Sequence, residues 1–120
     1  MYTPPKTILI DIDGTILCHK GDLYKMMTEE PIVLPHVIER FLQWRREGHH
    51  IVLTTARTEG CRHTTERQLA KVGVFYDKLV MGLTSGPRVL INDIKPNGKK
   101  TAFAFSIPRD TGLGEVNIDQ

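Results

Sequence analysis

The sequence predicts a layered α/β domain with a mostly parallel central sheet and helices on its faces. Short apolar runs rich in β-branched residues alternate with helical stretches, which is the pattern of strands joined by crossover helices. The first runs are continuously apolar, as is typical of strands covered on both faces. The 120 residues have the length of one domain, and 40% hydrophobic residues is ordinary for a globular protein. We therefore expect a single domain over residues 1–120.

Five segments have the character of strands. Four of them are short and almost entirely apolar, at Thr7–Asp11, 51–54, 78–81 and 88–92. The fifth, at 101–106, alternates small and large side chains, which suits a half-covered edge strand.

Two segments have the apolar periodicity of helices. The first spans 35–47 and places on one side Val37, Ile38, Phe41, Leu42 and Trp44. The second spans 58–72, has an apolar stripe at Leu69 and Val72, and ends at Gly73.

Two further segments show neither pattern. Residues 16–34 contain Gly21 and Pro31 and no clean helix, so we expect a short flap or hairpin, too small for a separate lid domain. Residues 107–120 form the tail, in which Gly112 and Gly114 predict a flexible turn.

Composition excludes several classes of protein. There is no apolar run of about 18 residues and no start resembling a signal peptide, so we expect neither a membrane span nor export. The two cysteines, Cys18 and Cys61, lack CxxC partners, which predicts free thiols in the cytoplasm rather than a zinc site. The net charge of +2 is too weakly basic to indicate a nucleic-acid partner.

The sharpest feature is the run Asp11-Ile-Asp13-Gly14-Thr15 at the end of the first strand. The pattern D-x-D-G-T arises by chance in about one of a thousand chains of this length. A turn explains Asp13 and Gly14. It does not explain Asp11, an acid at the inner end of an apolar strand, where burial costs several kcal/mol unless it is compensated. Two carboxylates at a strand end are oxygen ligands of the kind that Mg²⁺ prefers.

Two later strands end in residues that suit the same site. Asp93 follows the strand at 88–92, and the Thr-Thr-Ala-Arg run at 54–57 ends another strand and opens a helix. A hydroxyl at a helix N-terminus is suited to bind phosphate. Because open α/β sheets bind ligands at the carboxyl ends of their strands, we expect Asp11, Thr55 and Asp93 to meet at one edge of the sheet.

On these residues the sequence resembles the haloacid dehalogenase (HAD) superfamily of aspartate-nucleophile phosphatases, over the stretch 7–96. Residues 11–15 fit the first motif of the family, Thr55 fits the second, and Asn92-Asp93 fits the fourth. The resemblance implies a three-layer Rossmann-like domain. The short path from the first strand to the first helix implies a member without a cap domain.

The resemblance also implies a Mg²⁺-dependent phosphatase that works through an aspartyl-phosphate. Asp11, the main-chain carbonyl of Asp13, and Asp93 would hold the metal ion. Asp11 would attack phosphorus, and Asp13 would act first as acid and then as base. Thr55, the third expected catalytic residue, would bind the phosphoryl oxygens.

One motif departs from the family pattern, because the lysine of the third motif is missing. Where it is expected, residues 83–85 read Leu-Thr-Ser. In a parallel sheet Lys78 and Arg88 begin their strands, so we expect both at the end opposite the site. We expect Arg57 and Lys95 at the active end. The expected phosphate- or substrate-binding residues are therefore Thr55, Ala56, Arg57 and Lys95.

For the substrate, the resemblance favours a sugar phosphate or a similar small metabolite over nucleic acid. The Thr-Ala-Arg run at 55–57 is similar to the Thr-Gly-Arg of sugar-acid phosphate phosphatases. The stretch 86–96 is similar to small proteins associated with capsule or lipopolysaccharide synthesis. Two alternatives stay open: a 3′-phosphatase of nucleic acid, with only a partial basic stripe, and a catalytically weak binding module, which the missing lysine favours.

A homo-oligomer is also expected. A site without a cap is open to water, and phosphoryl chemistry benefits from a closed pocket. The flap carries apolar side chains that a neighbouring subunit would cover, namely Leu23, Tyr24, Met26 and Met27. The alternative is that the flap folds back over its own site.

Overall fold

The computed structural model describes residues 4–119. Within these residues three strands and three helices follow one another, with a short 3₁₀ turn at Glu59–Cys61 before the last helix. They are β1 (Thr7–Asp11), α1 (Leu23–Thr28), α2 (Val37–Arg46), β2 (His50–Thr54), α3 (Arg62–Lys71) and β3 (Lys78–Val80).

The sheet is parallel, with the strands in the order β1-β2-β3. In this register Ile10 lies beside Leu53, and Leu53 beside Leu79. The row faces the helices, because Ile10 and Leu53 share one buried core with side chains of α2 and α3 such as Phe41 and Leu69. The predicted α/β class and parallel sheet are confirmed.

The opposite face of the sheet carries apolar side chains that remain open to solvent. Leu9 is 56% exposed and Val80 is 39% exposed. Both crossovers run in the same direction along the sheet, so α2 and α3 pack on the same face. The helices of residues 4–119 thus lie on one face of the sheet, and the predicted Rossmann-like class without a cap domain is confirmed.

The predicted strands at 88–92 and 101–106 are not formed. Residues 83–106, which we call the arm, leave the body after β3 and reverse direction near 95–99, where the Gly98 N–H donates to Lys95 O. Residues 84–100 are all exposed. The radius of gyration is 15.1 Å, whereas a compact domain of this length has about 13.6 Å. The arm therefore projects from the body.

A chain-length limit explains why 88–92 does not join the sheet as a parallel strand beside β1. A parallel neighbour must be reached by a crossover of a dozen or more residues. Only residues 82–87 separate β3 and Met81 from this segment. The apolar run has strand composition, but the connection within its own chain is too short to place it.

The flap at 16–34 has paired ends and a helical middle. The Cys18 N–H donates to Ile32 O at 2.8 Å, and the Leu34 N–H donates to Ile16 O at 2.9 Å. Between them lies α1, which the sequence did not indicate; Asp22 caps it by accepting from the Lys25 N–H at 2.8 Å.

The expected flexible tail turn is wrong, because residues 110–118 pack on the body. The side chains of Leu113, Val116 and Ile118 are buried in the core. The Leu113 N–H donates to Pro35 O at 3.0 Å, and the Arg40 guanidinium donates to Leu113 O and Gly114 O. Arg40, on the polar side of α2, therefore anchors the tail.

Gly112 should be the glycine most sensitive to substitution. Its φ is +83°, and an added methyl group would overlap the backbone of Pro35. The left-handed backbone costs about 1–2 kcal/mol for other residues, and the overlap adds about 1–3 kcal/mol. We expect Gly112→Ala to lower the free energy of unfolding by about 3 kcal/mol, measured by urea denaturation.

Gly48→Ala is the matched control for this substitution. Gly48 has nearly the same φ, +84°, but nothing within 4 Å of the added methyl group. Gly48→Ala should therefore lower the free energy of unfolding only by the backbone contribution of about 1–2 kcal/mol. Equal losses for the two variants would show that the tail does not pack closely against Pro35.

No helix among residues 4–119 has both the length and the apolar character needed to cross a membrane.

Candidate active site

Asp11 and Asp13 come together at the carboxyl end of β1. Asp11 is the last residue of the strand, and a tight loop follows it. The loop is closed by the Leu17 N–H donating to Ile12 O at 3.1 Å, and by the Gly14 N–H donating to Leu17 O at 2.7 Å. Gly14 has a φ of +90°, which glycine adopts without strain. The D-x-D-G-T run thus forms both a turn and a pair of acids.

Asp11 is accessible to solvent, yet protein surrounds enough of its carboxyl group to disfavour the charge. Burial raises the pKa of Asp11 above its ordinary value, and the nearby charge of Asp13 acts in the same direction. The Ile12 backbone N–H and the charges of Arg88 and His19 oppose this rise in pKa. Asp11 is therefore an accessible, incompletely solvated carboxylate.

Arg57 holds Asp13 through a bidentate ion pair. Its Nε donates to Asp13 Oδ2 at 2.8 Å and its Nη2 donates to Asp13 Oδ1 at 2.7 Å. The Nη1 group donates to Thr65 Oγ1 at 3.1 Å and to Gln68 Oε1 at 2.8 Å. The pair is largely withdrawn from solvent, with 3% of the Arg57 side chain and 13% of the Asp13 side chain exposed. The Arg57 guanidinium thus fixes the orientation of one acid instead of standing open to a phosphate.

Thr55 lies directly beyond β2 and is 1% exposed. Its backbone N–H donates to Val80 O, and its Oγ1 accepts from the Arg57 N–H at 3.0 Å. The hydroxyl hydrogen is left to donate elsewhere. The expected helix N-terminus at 54–57 is wrong, because α3 begins only at Arg62, after the 3₁₀ turn. Ala56 is exposed in the loop between them.

Arg88 lies at the active end, contrary to the expectation from strand direction. Its charge lowers the pKa of Asp11, and only residues 81–87 separate Arg88 from the end of β3 at that edge of the sheet. Because 88–92 is not a strand in the sheet, the rule that a strand-initial residue lies at the amino end does not apply to Arg88. Lys78 does begin β3 and lies at the opposite end.

The tail contacts the motif loop and also His19, which follows the loop; the sequence analysis missed these contacts. The Asp110 N–H donates to Gly14 O at 2.8 Å, and Asp110 Oδ1 accepts from the His19 N–H at 2.8 Å. The Arg109 side chain runs beside Gly14, with its Cγ 3.2 Å from where a Cβ would stand. These residues lie about 95 positions from the loop, and no local pattern connects them to it.

Thr65 and Gln68 were also missed, although a signal for them exists. Both are buried on α3, near the core residue Leu69. Thr65 occupies the stripe position one turn before Leu69, where an apolar residue is expected. A polar residue at such a position indicates a buried hydrogen-bond partner, which is Arg57.

The third expected metal ligand does not reach the other two. Asp93 is exposed on the arm, and its backbone carbonyl accepts from Thr101 Oγ1 at 2.7 Å. Lys95 is exposed beyond it. Within residues 4–119, no three His, Cys, Asp or Glu side chains are grouped so as to hold a metal ion. The residues that one chain brings together therefore do not fit the expected Mg²⁺ site of Asp11, Asp13 and Asp93.

Comparisons with known proteins identify the type of domain. The sequence model of the polynucleotide kinase PNKP phosphatase domain matches residues 5–87. A chain in the solved structure of the Pnkp1/Rnl/Hen1 complex is 31% identical with a TM-score of 0.58; the alignment covers 71% of this chain and 30% of that one. A chain in the solved structure of the Pnkp1/Rnl/Hen1 RNA repair complex is also 31% identical, with a TM-score of 0.58. That alignment covers 70% of this chain and 28% of the other. This chain therefore spans less than a third of those chains. No curated protein matches it.

These comparisons correct the expectation about partners. Nucleic acid was not expected as a partner because the net charge of the whole chain is only +2, and the resemblance of residues 55–57 and 86–96 favoured a sugar phosphate. The similar domains belong to polynucleotide kinases, and one of the solved structures is an RNA repair complex. The net charge of the whole chain does not show how its charges are distributed: the arm has four basic residues and one acid, a net charge of +3. The comparisons give no support to a sugar-phosphate substrate.

Proposed function

This chain belongs to the HAD-superfamily phosphatase domains of the polynucleotide kinase type, and on that premise we propose that it removes the terminal 3′-phosphate of a polynucleotide. The family match over 5–87 is the observation that carries the proposal. It includes the motif loop, Thr55 and Arg57.

Asp11 and Asp13 divide the chemistry between them. An Asp11 carboxylate oxygen attacks phosphorus and the bond from phosphorus to the 3′-oxygen breaks. Asp13, after it takes up a proton and releases one of its two hydrogen bonds from Arg57, gives that proton to the 3′-oxygen. Water then attacks the aspartyl-phosphate and loses a proton to Asp13, which releases inorganic phosphate and restores Asp11. Arg57 acts as a positioning residue, because its two hydrogen bonds set the direction in which Asp13 exchanges protons.

The exposure of the site suits a polymer end. Asp11 is exposed at the sheet edge, and the flap carries only the six-residue α1 rather than a cap domain. Three lysines stand near the turn of the arm, Lys95, Lys99 and Lys100, and all are exposed. Lysines in a group attract the phosphates of a polynucleotide regardless of its sequence. A single nucleotide would gain little from them.

Comparison of three substrates tests this proposal. With Mg²⁺ present, we expect kcat/KM for a 3′-phosphorylated oligonucleotide to exceed that for a 5′-phosphorylated one and for a free 3′-mononucleotide by about tenfold or more, and to fall with added salt. RNA and DNA oligonucleotides are compared in parallel. Hydrolysis of the mononucleotide at an equal rate would contradict a polymer substrate.

A double substitution tests the contribution of the arm. Lys99→Ala with Lys100→Ala should lower kcat/KM for the oligonucleotide about tenfold and weaken its salt dependence. Lys78→Ala is the control, because Lys78 lies at the opposite end of the sheet. Equal losses in the two variants would show that the arm does not contact the polymer.

A further inference from the structure

We propose that the arm of one copy of this chain docks along the free edge of β1 in a second copy, so that two chains exchange arms and each completes the acidic site of the other. The interface itself does not depend on the proposed activity. The completion of the site does, since it takes Asp11 to be the reactive carboxylate.

The arm contains a strand-like segment without a sheet. Val89, Leu90 and Ile91 are consecutive and are 82%, 57% and 87% exposed. Such a continuous apolar run is typical of a strand covered on both faces. Ile94, Phe103 and Phe105 are exposed on the same arm. A monomer would leave this whole apolar surface in water, and exposed patches of this kind mark interaction sites.

The body has a matching gap beside β1. Among the described residues β1 pairs with β2 alone, so the backbone groups on its other edge have no neighbouring strand. The Leu9 side chain stands exposed on the uncovered face. A free edge with an apolar side chain accepts an added strand, because the backbone hydrogen bonds and the apolar contact form together.

The arm cannot fill this gap in its own chain and also deliver Asp93 to Asp11. β3 ends at Val80, at the carboxyl edge of the sheet, and only residues 81–87 separate it from Arg88, so the segment 88–92 begins near that edge. Residues 88–92 starting there would have to run antiparallel to β1. At about 3.3 Å per residue this would carry Asp93 roughly 16 Å from Asp11, toward the amino end of the strand. A parallel path would need the long crossover that 82–87 cannot provide.

A second copy removes this constraint. Its arm can run parallel to β1, in the register that places Asp93 beside Asp11 and Ile91 beside Leu9. The same register brings Lys95 to the site, which lacks the expected third-motif lysine. Six large apolar side chains on each arm supply an interface of the order of 1,000 Å², the lower range for a specific interface. The exchange is symmetric, because each chain offers one arm and one edge.

Disulfide trapping between differently tagged chains tests the interface. One chain carries Leu9→Cys and the other Ile91→Cys, each in a background with Cys18→Ser and Cys61→Ser. We expect mild oxidation of the mixture to give the mixed covalent dimer as the main product. The control pairs Leu42→Cys, on the exposed surface of α2, with Ile91→Cys. This pair should give little mixed covalent dimer. Absence of the mixed dimer, or trapping equal to the control, would overturn the proposal.

The mass in solution gives a second measurement that does not involve catalysis. Light scattering behind size exclusion should show a dimer for the unmodified chain and a monomer for Ile91→Lys. That variant should keep its fold, because Ile91 contacts little within its own chain, and circular dichroism checks this. Leu42→Lys should remain dimeric. An unmodified chain that is monomeric at micromolar concentration would overturn the exchange.

Complementation between two inactive variants tests the shared site. Asp11→Asn and Asp93→Asn should each be inactive. When they are mixed, unfolded and refolded together, half of the dimers are mixed, and each has one intact site, so about a quarter of the normal activity should return. No recovery, although mixed dimers are trapped, would contradict the shared site while leaving the interface in place. No activity in the unmodified dimer would count against the proposed function instead.

Discussion

Asp11→Asn should lower the rate of 3′-phosphate hydrolysis by on the order of 10⁴-fold or more, the scale on which loss of a covalent nucleophile acts in other hydrolases. The asparagine amide has the volume of the carboxylate but cannot attack phosphorus. Single-turnover release of phosphate from a 3′-phosphorylated oligonucleotide measures the effect.

Asp22→Asn is the matched control for this variant. It makes the same change at an exposed acid that caps α1, where asparagine caps as well as aspartate. It should keep the normal rate. Asp11→Asn activity within tenfold of the unmodified protein would contradict a covalent role for Asp11.

Asp11→Asn should also be more stable than the unmodified protein at pH 7. A gain in stability would show that this variant loses its chemistry without losing its fold. Burial raises the pKa of Asp11 above its ordinary value of 3.8, so the folded state binds this proton more tightly than the unfolded state. The charged group therefore destabilises the fold increasingly as pH rises above 3.8, and asparagine removes this penalty. Thermal unfolding without divalent cations should show the gain at pH 7 and its disappearance near pH 3.8. Lower stability of Asp11→Asn at pH 7 would contradict the expectation that the charged Asp11 carboxylate destabilises the fold.

Arg57→Met should lower the free energy of unfolding by about 3–5 kcal/mol, because it leaves Asp13 as a nearly buried charge without its partner. Thr65 and Gln68 lose their hydrogen bonds to the guanidinium as well. Urea denaturation measures the loss. Arg57→Lys should recover only part of it, because an ammonium cannot make the bidentate contact.

Arg62→Met is the control for the ion pair. Arg62 also bonds a carboxylate, Glu59, at 2.8 Å, but the pair is on the surface. Exposed pairs contribute about 1 kcal/mol or less, so this variant should lose little. Similar losses in Arg57→Met and Arg62→Met would mean that the Asp13 pair is not a buried one.

The parts of the fold that the sequence alone predicted are those with a local cause. The three observed strands lie within one residue of the predicted apolar runs, and α2 lies within the predicted helix at 35–47. The D-x-D-G-T loop was also predictable, because turn formers and two acids are adjacent in the chain. In each case the residues that determine the local structure lie within one short segment of the chain.

Tertiary structure decided whatever depends on distant partners. Residues 88–92 have strand composition, yet the short connection leaves them outside the sheet of their own chain, and this moves Arg88 to the active end and takes Asp93 from it. Arg57 suited a phosphate contact by position, but Asp13, Thr65 and Gln68 occupy its guanidinium. Local pattern determines what a segment can form. Chain connection and the competition for buried hydrogen bonds determine which of those possibilities the molecule uses.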